Sequence, residues 1–464
     1  MSYQAQILVM DVKRDGRMVL TDGNSKAGWP VWSPDGTQMA FLARSGEGGA
    51  DVFVADVETG DRRQLTDDDN VYTNPVWSPD GTRIAFEGVD VPDDVPDDAD
   101  IYVLEIYVDD REIFVINTDG TEFLQLTDNE VTDRWPVWAP DGSSLAYFSY
   151  AASQQDSAAP RHIVLVDADG GNRRQVTDSD DSPVGLTWSS DSTRIAFRTY
   201  GERKVFIATA DGSSVTEVAY SDSQGKGPVW SPDGSRLVFE GYPQGPAWGH
   251  RELEIFVVDA EGQNLQQLTD GDFPSGNPVW SPDGTRIAFA SMRAVFVMEA
   301  DGSNQRQLTD NKYAGRHLVW SPDGSSIAFD GVVGDNYQEV WVIDVEDGSL
   351  QRLTFKSDHD KQPVWGPEGL WFLLFTRYFT PKIFVMEADG GNQRQLTTSN
   401  SGSYNPVWSP DGTHIAFSSG QGIHVMDADG QGGRVLAEVN SEHFEVRWSP
   451  DGRQIAYTDY DHLS

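Results

Sequence analysis

The chain of 464 residues contains no cysteine, so disulfide bonds and thiolate chemistry are excluded and cysteine usage does not indicate a redox compartment. It also lacks an apolar run of 18 residues, which excludes a membrane-spanning helix. The first residues, MSYQAQILVMDV, show no charged segment followed by an apolar one, so the sequence predicts no signal peptide. Within these limits we expect a cytoplasmic protein, or one whose signal has already been removed.

Basic residues are scarce. The chain has 34 lysines and arginines, of which eight are lysines, against 74 acidic residues, and its formal net charge is −40. Such a surface repels nucleic acid and anionic lipid, so neither is an expected partner. It attracts cations and basic proteins, and it also keeps a protein hydrated in concentrated salt. A basic protein partner and simple solubility therefore both stay open as interpretations.

The most informative feature present is a phrase around Trp-Ser-Pro-Asp-Gly that occurs ten times. The steps between its tryptophans are 45, 61, 50, 42, 50, 40, 45, 43 and 40 residues. A period of 40 to 50 residues with strand-like content is typical of β-propellers. The ten repeat tryptophans are Trp32, Trp77, Trp138, Trp188, Trp230, Trp280, Trp320, Trp365, Trp408 and Trp448.

Each repeat predicts four antiparallel strands. Between 277 and 309, two short apolar strands are joined by the turn Ser281-Pro-Asp-Gly, and two more are joined by an Asp-Gly hairpin. Four such strands make one propeller blade. Almost no segment has sustained helical periodicity, so we predict an all-β protein.

The two ends of the chain share one blade in this prediction. The segment at about 444–458 supplies strands one and two, and the segment at about 5–21 supplies strands three and four. Such a two-plus-two seam leaves no free sheet edge. We therefore expect residues 1–464 to form a single, monomeric propeller of ten four-stranded blades. The alternative is eight or nine blades, with degenerate units outside the ring.

The repeat, PVWSPDGTRIAF followed by IFVMDADGSN-x-RQLT, resembles the TolB-type propeller repeat. The resemblance covers nearly the whole chain and implies the blade fold. TolB proteins are six-bladed, periplasmic and bind protein partners, so the resemblance implies a periplasmic or secreted location if a signal was removed. An amino-terminal domain of the TolB kind is not found in this sequence. Propellers attached to prolyl-oligopeptidase-like hydrolases carry similar repeats, but no Gly-x-Ser-x-Gly motif follows here.

A chemically varied position lies three residues before each repeat tryptophan, between more uniform neighbours. We expect it at the mouth of the central channel, where its side chains would bind a ligand. The alternative interpretation is that its amides cap backbone groups and its aromatics plug the channel. Apart from two glycines, Gly185 and Gly227, the candidates are Trp29, Asn74, Trp135, Asn277, His317, Gln362, Asn405 and Glu445.

Three insertions depart from the repeat, at 87–112, 150–161 and 241–252. Connections of variable length on a rigid scaffold are where binding residues concentrate. Exposed aromatic residues and arginine are frequent binding hot spots. The candidates in these loops are Tyr102, Tyr107, Trp248, His250 and Arg251.

Two metal hypotheses are weaker. Asp167 and Asp169 resemble the start of a calcium loop, but the bidentate glutamate that such a loop requires is missing and Asp-Gly is an ordinary hairpin turn. Related oligogalacturonate lyases bind a metal through histidines and a glutamine. By that resemblance His317, His359 and His443, with Gln362, would hold a metal in a polysaccharide lyase.

The sequence thus predicts a non-enzymatic scaffold without a cofactor, which binds a protein partner through its variable loops. A metal-dependent polysaccharide lyase and a cation-binding or calcium-binding propeller are the alternatives.

Overall fold

A computed structural model gives the fold. The described residues lie in strands, turns and irregular connections, and none of these residues is helical. No described segment is a helix of the length and apolarity needed to cross a membrane. The structure describes residues 3–11, 17–21, 26–44, 49–68, 70–90, 110–151, 161–177, 182–200, 203–221, 227–242, 253–271, 273–311, 316–333, 337–353, 360–365, 372–377, 382–387, 394–397, 402–420, 422–438 and 446–462.

The forty strands of these residues form ten four-stranded antiparallel sheets, each with the same strand order. The first strands all end at a repeat tryptophan: β3 (Lys26–Trp32), β7 (Asn70–Trp77), β11 (Val131–Trp138), β15 (Pro183–Trp188), β19 (Val229–Trp230), β23 (Ser275–Trp280), β27 (Arg316–Trp320), β31 (Asp360–Trp365), β35 (Tyr404–Trp408) and β39 (Val446–Trp448). The second strands are β4 (Gln38–Arg44), β8 (Arg83–Asp90), β12 (Ser144–Ala151), β16 (Arg194–Thr199), β20 (Arg236–Gly241), β24 (Arg286–Ser291), β28 (Ser326–Val333), β32 (Phe372–Arg377), β36 (His414–Ser419) and β40 (Gln454–His462).

The third and fourth strands complete the sheets. The third strands are β1 (Tyr3–Asp11), β5 (Asp51–Asp56), β9 (Glu112–Asn117), β13 (Arg161–Asp167), β17 (Lys204–Thr209), β21 (Glu254–Asp259), β25 (Ala294–Glu299), β29 (Tyr337–Asp344), β33 (Lys382–Glu387) and β37 (Gly422–Asp427). The fourth strands are β2 (Arg17–Val19), β6 (Arg62–Gln64), β10 (Leu124–Gln125), β14 (Arg174–Gln175), β18 (Val215–Tyr220), β22 (Gln266–Gln267), β26 (Arg306–Gln307), β30 (Leu350–Arg352), β34 (Arg394–Gln395) and β38 (Arg434–Glu438).

Each sheet has two different ends. The Ser-Pro-Asp-Gly turn and the Asp-Gly hairpin lie at one end, which we call the turn end. The connections from the second to the third strand, and from the fourth strand to the next sheet, lie at the other, the loop end. The three predicted insertions follow β8, β12 and β20 along the chain, and their residues 91–109, 152–160 and 243–252 lie outside the described residues.

The Ser-Pro-Asp-Gly turn is held by its own side chains. In β23–β24, Ser281 Oγ donates to Asp283 Oδ1 at 2.6 Å, and Asp283 Oδ1 also accepts the Thr285 backbone N–H at 3.0 Å. Gly284 has φ +69°, which glycine adopts without steric cost. The same serine–aspartate bond is formed in the turns at Ser33, Ser78, Ser189, Ser231, Ser321, Ser409 and Ser449.

The repeat tryptophans connect neighbouring sheets. The indole N–H of Trp280 donates to the carbonyl of Val229, the residue just before the preceding repeat tryptophan, at 3.1 Å. The same bond, at 2.9–3.3 Å, joins Trp32 to Arg447, Trp77 to Val31, Trp138 to Val76, Trp230 to Thr187, Trp320 to Val279 and Trp365 to Val319. Each of these seven tryptophans therefore contributes both buried apolar area and a directed bond to the neighbouring sheet.

The hydrophobic cores lie between adjacent sheets. Val238 and Val257 of one sheet pack with Trp280, Ile287 and Phe289 of the next. The Ile-Ala-Phe pattern of the second strand therefore reads as a continuous apolar run, because both faces of that strand are buried. Within each compact unit, these cores make adjacent sheets depend on one another for burial.

The chain ends meet in one sheet, whose strand order is β2-β1-β40-β39. β1 pairs with β40 from Tyr3 opposite His462 to Asp11 opposite Gln454. This is the pairing that the split repeat predicts. By contact density the chain divides into two compact units, one of Met1–Ser182, Ser409–Phe417 and Gln421–Ser464, the other of Pro183–Trp408 and Ser418–Gly420.

Candidate functional site

The varied position three residues before the repeat tryptophan is a β-bulge. The pairing of β23 with β24 shifts register between Gly276 and Val279, and the bulge residue Asn277 has φ +55°. Equivalent register shifts occur in the first strands β3, β7, β11, β15, β27 and β31. The residues with positive φ at this position, from +48° to +67°, are Trp29, Asn74, Trp135, Gly185, Asn277, His317 and Asn405.

The bulge explains part of the sequence variety. Glycine and asparagine adopt the left-handed region readily, so Gly185, Asn74 and Asn405 suit the backbone there. Side chains with a Cβ disfavour the left-handed region, which costs about 1 kcal/mol or more of conformational free energy per residue. This cost applies to Trp29, Trp135 and His317. Backbone strain of this kind concentrates at functional sites, so the surroundings of these three side chains are candidate binding sites.

A buried acid on the second strand supports the bulge. Glu87 is fully buried, and its Oε1 accepts the Asn74 Nδ2–H at 2.9 Å and the Trp135 backbone N–H at 2.8 Å. Its Oε2 accepts from Arg134 Nε at 3.1 Å and from Arg111 Nη1 at 3.3 Å. Because a buried carboxylate is costly unless it is paired, these bonds fix the bulge residues of two adjacent sheets in place.

Trp135 forms an exposed aromatic and cationic patch at this bulge. It retains 40% of its accessible surface, although Tyr150 stacks beside it with ring centroids 6.3 Å apart. The guanidinium carbons of Arg134 and Arg161 lie 4.8 Å and 5.7 Å from its ring centroid. We call Trp135, Tyr150, Arg134 and Arg161 the Trp135 patch. It offers a large aromatic edge with flanking cations, the composition that is enriched at binding hot spots.

The equivalent place in the sheet of β23–β26 is open. A groove with a volume of about 580 Å³ lies there, lined by Glu240, Leu253, Phe273, Pro274, Ser275, Gly276, Asn277, Ala290, Ser291, Met292 and Arg293. The Glu240 side chain is 8% exposed, and its Oε1 accepts the Asn277 backbone N–H at 2.5 Å. Phe273 and Met292 are 46% and 37% exposed at the rim. We call this groove the Glu240 notch.

His317 is held by another buried acid. Its Nδ1 lies 2.6 Å from Oδ1 of Asp330, which is fully buried, whereas the imidazole is 48% exposed. The pair orients the ring. His359 and His443, the other histidines of the lyase hypothesis, lie outside the described residues.

Another pair of buried acids lies between β9 and β11. Burial raises the pKa of Glu112 to about 7, despite hydrogen bonds from Thr127 and Asn129 and with a further raising contribution from the nearby Asp133 charge. Burial likewise raises the pKa of Asp133, which accepts from Asn129 Nδ2 at 2.9 Å. These hydrogen-bonded acids belong to the blade interior and not to an exposed site.

The carboxylate oxygens that the calcium hypothesis requires already accept hydrogen bonds within their own hairpin. Asp167 Oδ2 accepts from Asn172 Nδ2 at 2.7 Å, and Asp169 Oδ1 accepts the Gly171 backbone N–H at 2.8 Å. Both aspartates thus close their own hairpin. Within the described ranges, no three His, Asp or Glu side chains are grouped as metal ligands.

Several predicted residues fall outside the structural description. They are Tyr102, Tyr107, Trp248, His250, Arg251 and Glu445, and Gln362 lies in β31 without a described side chain. Sequence reasoning also missed Glu87, Glu240 and Asp330. Each directly follows the phenylalanine of an otherwise apolar second strand, and a charge at that position was a readable signal.

The family of the chain is shown by comparison. Residues 1–90 and 149–329, more than half of the chain, match the sequence profile of the TolB β-propeller domain. No protein of curated function matches the chain.

Three solved structures are similar to the chain at low identity. A TolB protein of Agrobacterium tumefaciens is 21% identical, over 63% of this chain and 94% of its own, with a TM-score of 0.34. An oligogalacturonate lyase in complex with manganese is 16% identical over 99% of this chain and 98% of its own, with a TM-score of 0.41. A eukaryotic initiation factor is 12% identical over the same shares, with a TM-score of 0.53. The match to the domain profile and the repeated four-stranded sheets together establish that this chain belongs to the TolB β-propeller domain family.

Proposed function

We propose that the protein is a non-enzymatic scaffold that binds a protein partner through the loop ends of its blades, with the Trp135 patch as a central contact. The main support is that Trp135 stays 40% exposed while Glu87 accepts its backbone N–H and so fixes the strained backbone of Trp135. A rigid, exposed aromatic loses little conformational entropy on binding. The net charge of −40 favours a partner that is basic overall, because opposite charges steer association.

The proposal is tested by affinity capture with the substitution Trp135→Asn. Asparagine occupies the same bulge position in other blades, so it keeps the left-handed backbone while removing the aromatic edge. We expect retention of the captured protein to fall about tenfold or more, as at a hot spot. The melting temperature should stay close to that of the wild type.

Tyr200→Asn is the matched control. Tyr200 is 73% exposed and lies at the loop end of a different sheet, between β16 and β17. Capture should persist in this variant. Equal capture by wild type and Trp135→Asn, or no captured protein with the wild type, would contradict the proposal.

We also propose that all ten sheets are blades of one ring, closed by the sheet of β1, β2, β39 and β40. Two observations support this: every sheet has the same strand order, and the tryptophan-to-carbonyl bonds repeat in the same register within each compact unit.

A further inference from the structure

We infer that Arg161 of the Trp135 patch binds the carboxylate of an acidic side chain on the partner protein; this inference rests on the proposed protein-binding function and names the chemistry of one contact. The patch is locally cationic, although the chain has a net charge of −40. Arg134 and Arg161 both lie beside the Trp135 ring. Asp133, the acid next to Arg134 in sequence, pairs instead with Arg173, with Oδ2 and Nη2 3.6 Å apart.

Arg161 occupies the same repeat position as Arg111 of the preceding sheet. Each arginine lies two residues before the isoleucine of the third strand that pairs with the fifth residue of the second strand. That fifth residue is Glu87 in β8 and Phe148 in β12. In the sheet of Arg161, a phenylalanine therefore stands where the preceding sheet has an acid.

Arg111 shows how the chain completes this position when it supplies the acid itself. The Arg111 side chain is 1% exposed, and its Nη1 lies 3.3 Å from Glu87 Oε2 and donates to Thr73 Oγ1 at 2.5 Å. Glu87 Oε2 also accepts from Arg134 Nε at 3.1 Å, so this one acid already serves two arginines. Because a buried guanidinium is costly unless it is paired, the carboxylate is what makes the position stable.

Arg161 has no such acid in the part of the chain that the structure describes. The contacts of its side chain there are with two aromatic rings. Its guanidinium carbon lies 5.7 Å from the ring centroid of Trp135 and 5.7 Å from that of Tyr150. Phe148, at the position of the acid, offers no carboxylate.

The chemistry of the occupant follows from the arginine. A guanidinium that lies against aromatic rings keeps its five N–H donors in one plane, and a carboxylate accepts two of them in parallel. Since the rings already hold the Arg161 side chain, little rotamer entropy is lost when the carboxylate binds. An apolar side chain next to the acid can pack on Trp135, which is 40% exposed. The pair of Arg111 with Glu87 identifies a carboxylate as the group that this repeat position accepts.

The negative charge of the whole chain does not prevent this contact. At about 0.15 M salt the Debye length is about 8 Å, so acids farther away than this are largely screened. A partner that is basic overall is steered by the whole surface and contributes one acidic side chain at Arg161.

The probe is a fluorescently labelled acetyl-Gly-Leu-Glu-Gly amide, titrated into the full-length protein at about 0.15 M salt. We expect saturable binding, read as fluorescence anisotropy, below about 1 mM. The glutamine peptide has nearly the same shape without the charge and should bind about tenfold or more weakly. Arg161→Gln should weaken binding of the glutamate peptide by a similar factor. Arg161→Lys keeps the charge but loses the planar fork, so it should weaken binding about threefold.

Two further variants separate binding from folding. Phe148→Glu gives Arg161 the acid that Glu87 gives Arg111, and it should abolish peptide binding. Arg203→Gln is the matched control, because Arg203 is exposed and lies at the same repeat position in the sheet of β15–β18. This control should bind the glutamate peptide as the wild type does. Melting temperatures show which variants are folded, and Arg161→Gln decides the matter if Phe148→Glu does not fold.

Three outcomes would overturn the inference: equal binding of the glutamate and glutamine peptides, no binding of either, or undiminished binding by folded Arg161→Gln. Binding of a glutamine peptide with a free terminal carboxylate as tightly as the glutamate amide would also overturn it, since the site would then recognise a chain end. Partner capture by Trp135→Asn is measured separately. The proposed scaffold function therefore stands or fails independently of the peptide experiment.

Discussion

At the scale of single residues, the varied position before the repeat tryptophan has two roles. Its backbone makes a bulge with positive φ, which accounts for glycine and asparagine there. Its side chains differ in contact: Asn74 bonds to Glu87, whereas Trp135 remains exposed beside two arginines. The position was readable from the sequence because it varies between uniform neighbours. The charge of each buried acid in an apolar strand was readable, but the sequence did not show which backbone N–H the acid would meet.

Asn405 allows a test of the bulge conformation. Its φ is +48°, and the side chain is exposed. Asn405→Gly should be close to neutral, whereas Asn405→Ala should lower the free energy of unfolding by about 1 kcal/mol relative to the glycine variant, because a Cβ disfavours the left-handed region. Urea denaturation midpoints of the two variants measure this difference. Equal midpoints would show that the bulge is not strained for alanine.

At the scale of elements, the Ser-Pro-Asp-Gly turn could be predicted in detail because its chemistry is local. Proline, glycine and a short acid determine it within four residues, and it recurs with the same bonds in sheet after sheet. The insertions lie mostly outside the described residues, and the candidates placed in them stay predictions. Their sequences carry no repeat, so nothing local specifies which tertiary contacts they make.

The turn predicts an acid-sensitive element. The Ser281 hydroxyl and the Thr285 backbone N–H hold the pKa of Asp283 below its ordinary value, and serine hydroxyls act in the same direction on Asp35, Asp80 and Asp233. Since the folded pKa is lowered, these bonds stabilise the fold above the ordinary aspartate pKa near 3.9, and that contribution is lost as the pH falls through the lowered value.

Asp283→Asn tests this behaviour. We expect a fall of less than about 1 kcal/mol in the free energy of unfolding at pH 7, since solvent screens exposed groups, and a smaller difference from wild type near pH 2.5. Denaturation midpoints at the two pH values measure it. Asp270→Asn is the control, because Asp270 is exposed and has no hydrogen bond or ion pair with the described residues. An effect of Asp283→Asn that does not change with pH would contradict the prediction.

At the scale of the whole molecule, the repeat predicted the all-β propeller class, because a period with strand-like content leaves few other architectures. The number of blades that close into one ring is a separate matter. It depends on the small rotation between neighbouring blades, which the repeat sequence does not specify.

Single-particle electron microscopy tests the proposed ring directly. Averaged views along the ring axis should show ten blades around one channel, and solution scattering should give the mass of a monomer. Eight or nine blades in the ring, or two separate rings, would contradict the proposal.

The tryptophan-to-carbonyl bond makes the repeats compatible with gene duplication of whole units. At seven junctions between described sheets, the indole of one repeat donates to the carbonyl just before the tryptophan of the neighbouring repeat, as Trp280 to Val229 and Trp320 to Val279 show. A gene duplication that inserts one whole repeat therefore leaves no donor or acceptor unmatched. Blade number can drift during evolution by entire units, while the surface chemistry of each blade diversifies on its own.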